Sequence, residues 1–165
     1  MSKLSVKIRD AEVEDLDIIF SLITQKAEFD GGINNFSATT EQLKQTLFGN
    51  SQLARVLLAE IEEEVVGYAL FFTTYSSFLA QPSIWLDDLF VILPKRGQGI
   101  GTALLNHLAK IAQEQNCGRL EWTVNIINTN AIAFYQQLGA NILEPIKLCR
   151  LNQASINQLA SYSNK

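Results

Sequence analysis

The chain has 165 residues, 47% hydrophobic and 18% charged, a balance that excludes a disordered segment and suits one domain, residues 1–165, around one buried core. Thirteen basic against seventeen acidic residues give a net charge of −4 without a basic cluster, which argues against nucleic acid as a partner. No apolar run approaches the ~20 residues that span a bilayer and the N-terminal stretch has no signal-peptide centre, so no membrane partner and a cytoplasmic location are expected.

Ser5 to Arg9 alternate as a first strand, and Leu16, Ile19, Phe20 and Ile23 follow at helical spacing. After a polar loop, Ala27 to Ala38, Thr39 with Gln42 forms a capping-box signature for a short second helix that stops at Gly49. Ala54 to Ile61 and Val65 to Tyr75, joined by Glu62 to Glu64, read as a β-hairpin, and Ile84 to Leu93 as a third long strand. A third helix carries Leu104, Leu105, Leu108, Ile111 and Ala112 on one face and ends near Asn116 to Gly118. Arg119 to Val124 read as a buried strand. Asn128 to Ala140 read as a helix stopped by Gly139, with closing strands over Asn141 to Pro145 and Ile146 to Leu151 before a polar amphipathic tail. The order implies an α/β (α+β mixed) fold: an antiparallel meander first and βα units later, in a mixed sheet covered by helices. Cys117 and Cys149 lack metal-ligand spacing and are expected to be reduced structural thiols, and no metal is expected.

Gly97, Gly99 and Gly101 strip side chains from the turn between the third strand and third helix, exposing the first helical N–H groups. Such a helix start binds anions. Arg96-Gly97-Gln98-Gly99-Ile100-Gly101 has neither the spacing of a dinucleotide fingerprint nor the Lys-Ser/Thr of a P-loop. It does match R-x-x-G-x-G and resembles the pyrophosphate loop of the GCN5-related N-acetyltransferases, the GNAT superfamily. Asn128 to Ala140 is similar to that family's second signature, N-x-x-A-I-x-F-Y-x-x-x-G-A. Gln25 to Gly31, Leu57 to Phe78, Ile84 to Val91 and Gly118 to Val124 extend the likeness to the diamine (spermidine/spermine-type) acetyltransferases. The chain departs from that pattern at Ile127 and Asn130, where Trp and Pro are usual, and at Asp87, where Glu is usual.

The resemblance implies a GNAT fold, a central, mostly antiparallel twisted sheet flanked by helices, with acetyl-CoA as co-substrate in a splay between two parallel strands. It implies that the backbone of Phe90, Val91 and Ile92 pairs with the pantetheine arm and that Asn128 hydrogen-bonds it. Arg96 and the loop Gly97, Gln98, Gly99, Ile100, Gly101 and Thr102 would hold the pyrophosphate. By the same likeness Asp87 is the catalytic base, direct or through water, and Tyr135 protonates or hydrogen-bonds the leaving thiolate. A backbone N–H near Val91 would meet the oxyanion. Glu28 and Asp88 are candidates for a distant ammonium of the acceptor, and Trp85 and Tyr75 for cation–π contacts. His107, the sole histidine, is expected on the surface without a catalytic role.

The expected reaction is acetyl transfer to a primary amine of a small cationic acceptor, diamine or polyamine. An alternative acceptor is the side-chain amine of an amino acid such as thialysine or lysine. A non-catalytic acyl-CoA sensor is the alternative of another class. The subfamily likeness also implies a homodimer.

Overall fold

The computed structural model describes residues 5–162. Its contacts divide the chain into two compact units, one ending at Thr123 and the other beginning at Val124.

The first unit is a five-stranded sheet in the order β1-β2-β3-β4-β5: Lys7–Asp10, Arg55–Ile61, Glu64–Ser76, Gln81–Val91 and Arg119–Glu121. The first three pairings are antiparallel and β4 with β5 is parallel. The β2–β3 turn needs only two residues, Glu62 and Glu63, both at positive φ, the backbone whose twist matches a tight hairpin. Helices α1, Leu16–Phe29, and α2, Thr40–Phe48, come before β2, and α3, Ile100–Glu114, follows β4. The capping box is present: the Gln42 N–H donates to Thr39 Oγ1 at 3.2 Å and the Thr39 N–H to Gln42 Oε1 at 2.9 Å.

Each sheet face has its own core. Ile19 and Leu22 of α1 and Leu47 of α2 pack with Val56, Leu58, Tyr68 and Phe90 on one face. Leu57, Ala59, Ala69, Phe71, Ile84 and Leu86 are buried on the other, where α3 contributes Leu104, Leu105, Leu108 and Ile111. The i, i+1, i+4, i+7 spacing of those α3 residues is what gives the helix one apolar stripe to bury. Arg9 links three elements: its guanidinium donates to both oxygens of Asp15, at 2.6 and 2.8 Å, and to Glu60 on β2. Both carboxyls are held below their usual range, chiefly by those hydrogen bonds from Arg9.

The second unit holds α4, Thr129–Gln137, and α5, Gln153–Ala160, within the amphipathic tail, whose last three residues lie outside those described. Two expectations need correction. The strand expected over Arg119 to Val124 stops at Glu121, and none of its three residues is buried. The closing strands over Asn141 to Leu151 do not form, although the turn at Pro145 does, with the Ile146 N–H donating to the Leu143 carbonyl at 3.0 Å. Alternating apolar residues specify a face but not a pairing edge, and here Leu143, Ile146, Leu148 and Leu151 stay exposed.

Candidate active site

The β3–β4 register places a bulge at the paired aspartates. Ala69 faces Leu89, Leu70 faces Asp88 and Phe71 faces Leu86, so Asp87 is the extra residue of β4. Directly opposed residues share a face, which puts Asp88 with Leu70 on the α1 side. The indole N–H of Trp85, opposite Phe72 and therefore also on that side, makes a long hydrogen bond of 3.4 Å to Asp87 Oδ1. Two successive carboxylates thus emerge on one face, which ordinary strand alternation forbids.

Their environments differ. Asp87 is exposed. Asp88, with a side chain only 17% exposed, has a donor on each oxygen: Lys26 Nζ lies 3.0 Å from Oδ1, and the Tyr68 hydroxyl donates to Oδ2 at 2.9 Å. Lys26 also contacts Asp30 Oδ2 at 2.6 Å. Burial pulls the Lys26 ammonium down, but Asp88 and Asp30 outweigh it and leave it raised. Burial and then Asp88 push the Tyr68 phenol well above its ordinary range, so it acts here as a donor and not a proton source.

Beyond the bulge β4 has an open edge. Its parallel pairing with β5 covers only Ser83 to Trp85, and among the described residues no strand pairs with the rest of that side. Backbone directions alternate along a strand. The Ile92 N–H donates to Val66 on β3 at 3.0 Å, and a Cβ on Gly67 of β3 would lie 2.7 Å from the Phe90 carbonyl oxygen, so Phe90 and Ile92 turn their backbone groups toward β3. Val91 and, two residues earlier, Leu89 therefore face the open side. Of Phe90, Val91 and Ile92, Val91 alone turns its backbone groups to the open side, and the strand period adds Leu89 to it.

The open edge leads to the glycine loop. Gly97 and Gly99 adopt φ of +74° and +81°, the left-handed region that favours glycine, and a Cβ on either would meet nothing within 4 Å. Gly99 is the N-cap of α3, no side chain caps the helix, and the first intrahelical donor after the cap is the Ala103 N–H, to the Gly99 carbonyl at 2.9 Å. The amides of Ile100, Gly101 and Thr102 therefore crown a bare positive helix end, next to open space. Gln98 turns its side chain back to the Pro94 carbonyl. The Arg96 Nε donates to the Val91 carbonyl at 2.8 Å, and its guanidinium stacks 4.1 Å above the Phe29 ring and 5.3 Å from that of Phe90. It bolts the loop to α1 and to β4, and burial lowers its pKa.

Glu28 is exposed near the end of α1. Tyr75, 71% exposed, sits opposite Pro82, five residues along β3 from Leu70, or roughly 16 Å at strand rise, and so is not brought to the aspartates. His107 is half-buried and lines, with Gly99 and Lys110, a shallow depression of about 480 Å³ beside β1. In the second unit Asn128 caps α4, its Oδ1 accepting from the Ala131 N–H at 3.2 Å, and Tyr135 packs its ring 5.3 Å from that of Phe134. Lys26, Tyr68 and Phe29 were not among the sequence candidates. Among the described residues no helix is long and apolar enough to cross a membrane, and no group of three His, Cys, Asp or Glu side chains gathers as metal ligands.

A bare helix end thus lies beside an open strand edge that also carries a carboxylate. The family model described as the acetyltransferase (GNAT) family matches residues 20–140. The chain belongs to that family of acyltransferase enzymes. It is 32% identical to an L-ornithine N5-acetyltransferase from Arabidopsis thaliana, with 88% of this chain and 83% of that one covered. It is 32% identical to the thialysine N-epsilon-acetyltransferase of Mus musculus, over 84% of this chain and 86% of that one. Among solved structures, an integron cassette protein from the mobile metagenome of V. cholerae superposes with a TM-score of 0.79 at 28% identity, covering 96% of this chain and 99% of that one.

Proposed function

We propose that the protein transfers the acetyl group of acetyl-CoA to the terminal primary amine of a small aliphatic acceptor. The observation that carries this reading is the continuity of three features on one strand and the helix after it: Asp87, the outward-facing Val91 and the uncapped amides of Ile100 to Thr102. The residues fit the co-substrate. The space a Cβ would fill at Gly99 admits a pyrophosphate to the helix amides, and the open edge at Leu89 offers backbone partners to an amide-bearing arm, while the Val91 carbonyl is taken by Arg96. When bound, acetyl-CoA supplies the thioester.

An alkylammonium has a reference pKa of ~10.4, so freeing its lone pair at pH 7 costs about 4.6 kcal/mol. Asp87 receives that proton through water. A direct ion pair would stabilise the charged amine and oppose deprotonation. The Val91 N–H supplies a fixed donor for negative charge on the attacked carbonyl oxygen. Tyr135 serves the departing thiolate mainly as a hydrogen-bond donor, since full proton transfer from a phenol to a thiolate is uphill by about 2 kcal/mol at their reference values. Asn128 keeps its amide nitrogen for the pantetheine arm while its oxygen caps α4.

Two acceptor classes fit. A diamine or polyamine is one, through the likeness of the sequence to the diamine acetyltransferases. The relatives named for ornithine and thialysine support the other, the side-chain amine of an amino acid. A homodimer is supported only by the likeness of the sequence to the diamine acetyltransferases. A thiol-release assay with acetyl-CoA against putrescine, spermidine, ornithine, thialysine and lysine tests the reaction. Turnover with at least one of these amines is expected; acetyl-CoA binding without turnover on any would return the chain to a sensing role.

A further inference from the structure

We infer that Lys26 sets the charge class of the acceptor, by occupying Asp88 as a built-in ammonium and leaving Asp87 as the one open carboxylate of the bulge. The inference rests on the acetyl-transfer reading.

Three observations converge on it. The bulge delivers Asp87 and Asp88 to the same face, so without Lys26 two adjacent carboxylates would confront an incoming cation. Lys26 Nζ sits 3.0 Å from Asp88 Oδ1, and the Tyr68 hydroxyl takes Oδ2, so a second ammonium finds both Asp88 oxygens engaged. The lysine is held there: Asp30, one helical turn on, grips the same nitrogen at 2.6 Å, and the Lys26 side chain is only 24% exposed. The remaining charges around the group are Glu28, exposed on α1, and Arg96, stacked on Phe29.

The chemical consequence separates two acceptors of similar length. A diamine carries a second full positive charge, which gains from every unneutralised carboxylate near the cleft. An amino acid with a side-chain amine carries at its far end an ammonium beside a carboxylate, neutral in sum, and gains little from a second acidic partner. Lys26, shared between Asp30 and Asp88, removes one negative charge from that group and engages Asp88, which disfavours dications and leaves zwitterionic heads nearly untouched. Lys26 is in this sense a specificity-determining residue that acts through Asp88.

The test compares kcat/KM for putrescine and for ornithine in the wild type, Lys26→Met, Lys26→Arg and the double variant Lys26→Met with Asp88→Asn. Lys26→Met is expected to raise the putrescine-to-ornithine ratio about tenfold, mainly through a lower KM for putrescine, the gain of one charge-assisted contact. Lys26→Arg is expected to keep the wild-type ratio, and the double variant to return to it within about twofold. An unchanged ratio in Lys26→Met, or an equal rise in the double variant, overturns the inference. General structural damage is recognised by a rise in KM for acetyl-CoA and an equal loss with both acceptors. Should Lys26→Met not fold, Lys26→Gln carries the same expectation. If the wild type acetylates no amine, the acetyl-transfer reading fails on its own, and calorimetry with putrescine then decides the matter: about tenfold tighter binding to Lys26→Met sustains the role of Lys26, and equal binding refutes it.

Discussion

Asp87 and Asp88 are neighbours in sequence and share one face of the sheet, because Asp87 is the unpaired residue of the β4 bulge while Asp88 keeps its place opposite Leu70. Asp87 is exposed beside Trp85, whereas Asp88 is held by Tyr68 and Lys26. The two substitutions to asparagine should therefore differ in kind. Asp87→Asn is expected to lower kcat by roughly a hundredfold or more, the usual range for a lost general base, with the melting temperature and the KM for acetyl-CoA unchanged. Asp88→Asn is expected to cost about 1–3 kcal/mol of stability, because Lys26 and Tyr68 lose a charged partner. Steady-state kinetics with thermal unfolding of both variants makes the comparison; equal loss of turnover would merge the two roles.

Gly99 holds φ of +81° at the start of α3, with empty space where a Cβ would go. Gly99→Ala should therefore fold with a penalty of about 1–2 kcal/mol from the left-handed backbone and suffer its larger loss in binding. A rise in KM for acetyl-CoA of at least about tenfold is expected, from a methyl group pushed toward the pyrophosphate and from loosened amides. A KM equal to the wild type would mean that the loop only connects strand to helix.

Tyr135→Phe removes a donor without changing the shape of α4. Thiol release is expected to slow by roughly tenfold to a hundredfold. Wild-type rates across the pH range would assign the phenol to packing alone.

The Arg9 node gives the fold a defined acid limit. Asp15 and Glu60 are both held below their unfolded carboxyl values by Arg9, so the stability they contribute is complete above about pH 4 to 5 and is lost as pH falls through the lowered folded values. Arg9→Met should destabilise the protein by about 3 kcal/mol at pH 7, leaving two part-buried carboxylates without their partner, and should flatten the dependence of stability on pH between about 5 and 3. Urea unfolding at several pH values measures both; an unchanged slope would move the acid sensitivity elsewhere.

The parts of the fold legible in the sequence were those written in local chemistry. Thr39 and Gln42 announced α2, the 3.6-residue spacing from Leu104 to Ile111 announced α3, and Gly97 and Gly99 announced a turn whose backbone only glycine adopts easily. What stayed hidden depends on partners distant along the chain. The bulge at Asp87 is a matter of register with β3, and Lys26 reaches Asp88 across 62 positions only because α1 crosses the sheet there. The likeness of the glycine loop assigns Arg96 to a phosphate but says nothing of its neighbours within the chain. Its stacking on Phe29 could not be seen without the position of α1 over β4. The segments around Pro145 failed as strands for the same reason, since alternation carries no information on where an edge is waiting.

The most direct test of the central claim follows the backbone amide resonances of the protein during titration with coenzyme A. Saturable shifts concentrated at Gly99 to Thr102 and at Leu89 and Val91, with Phe90 and Ile92 moving less, are the expected result. Shifts that bypass the start of α3 and the open edge of β4, or none at all, would contradict the account.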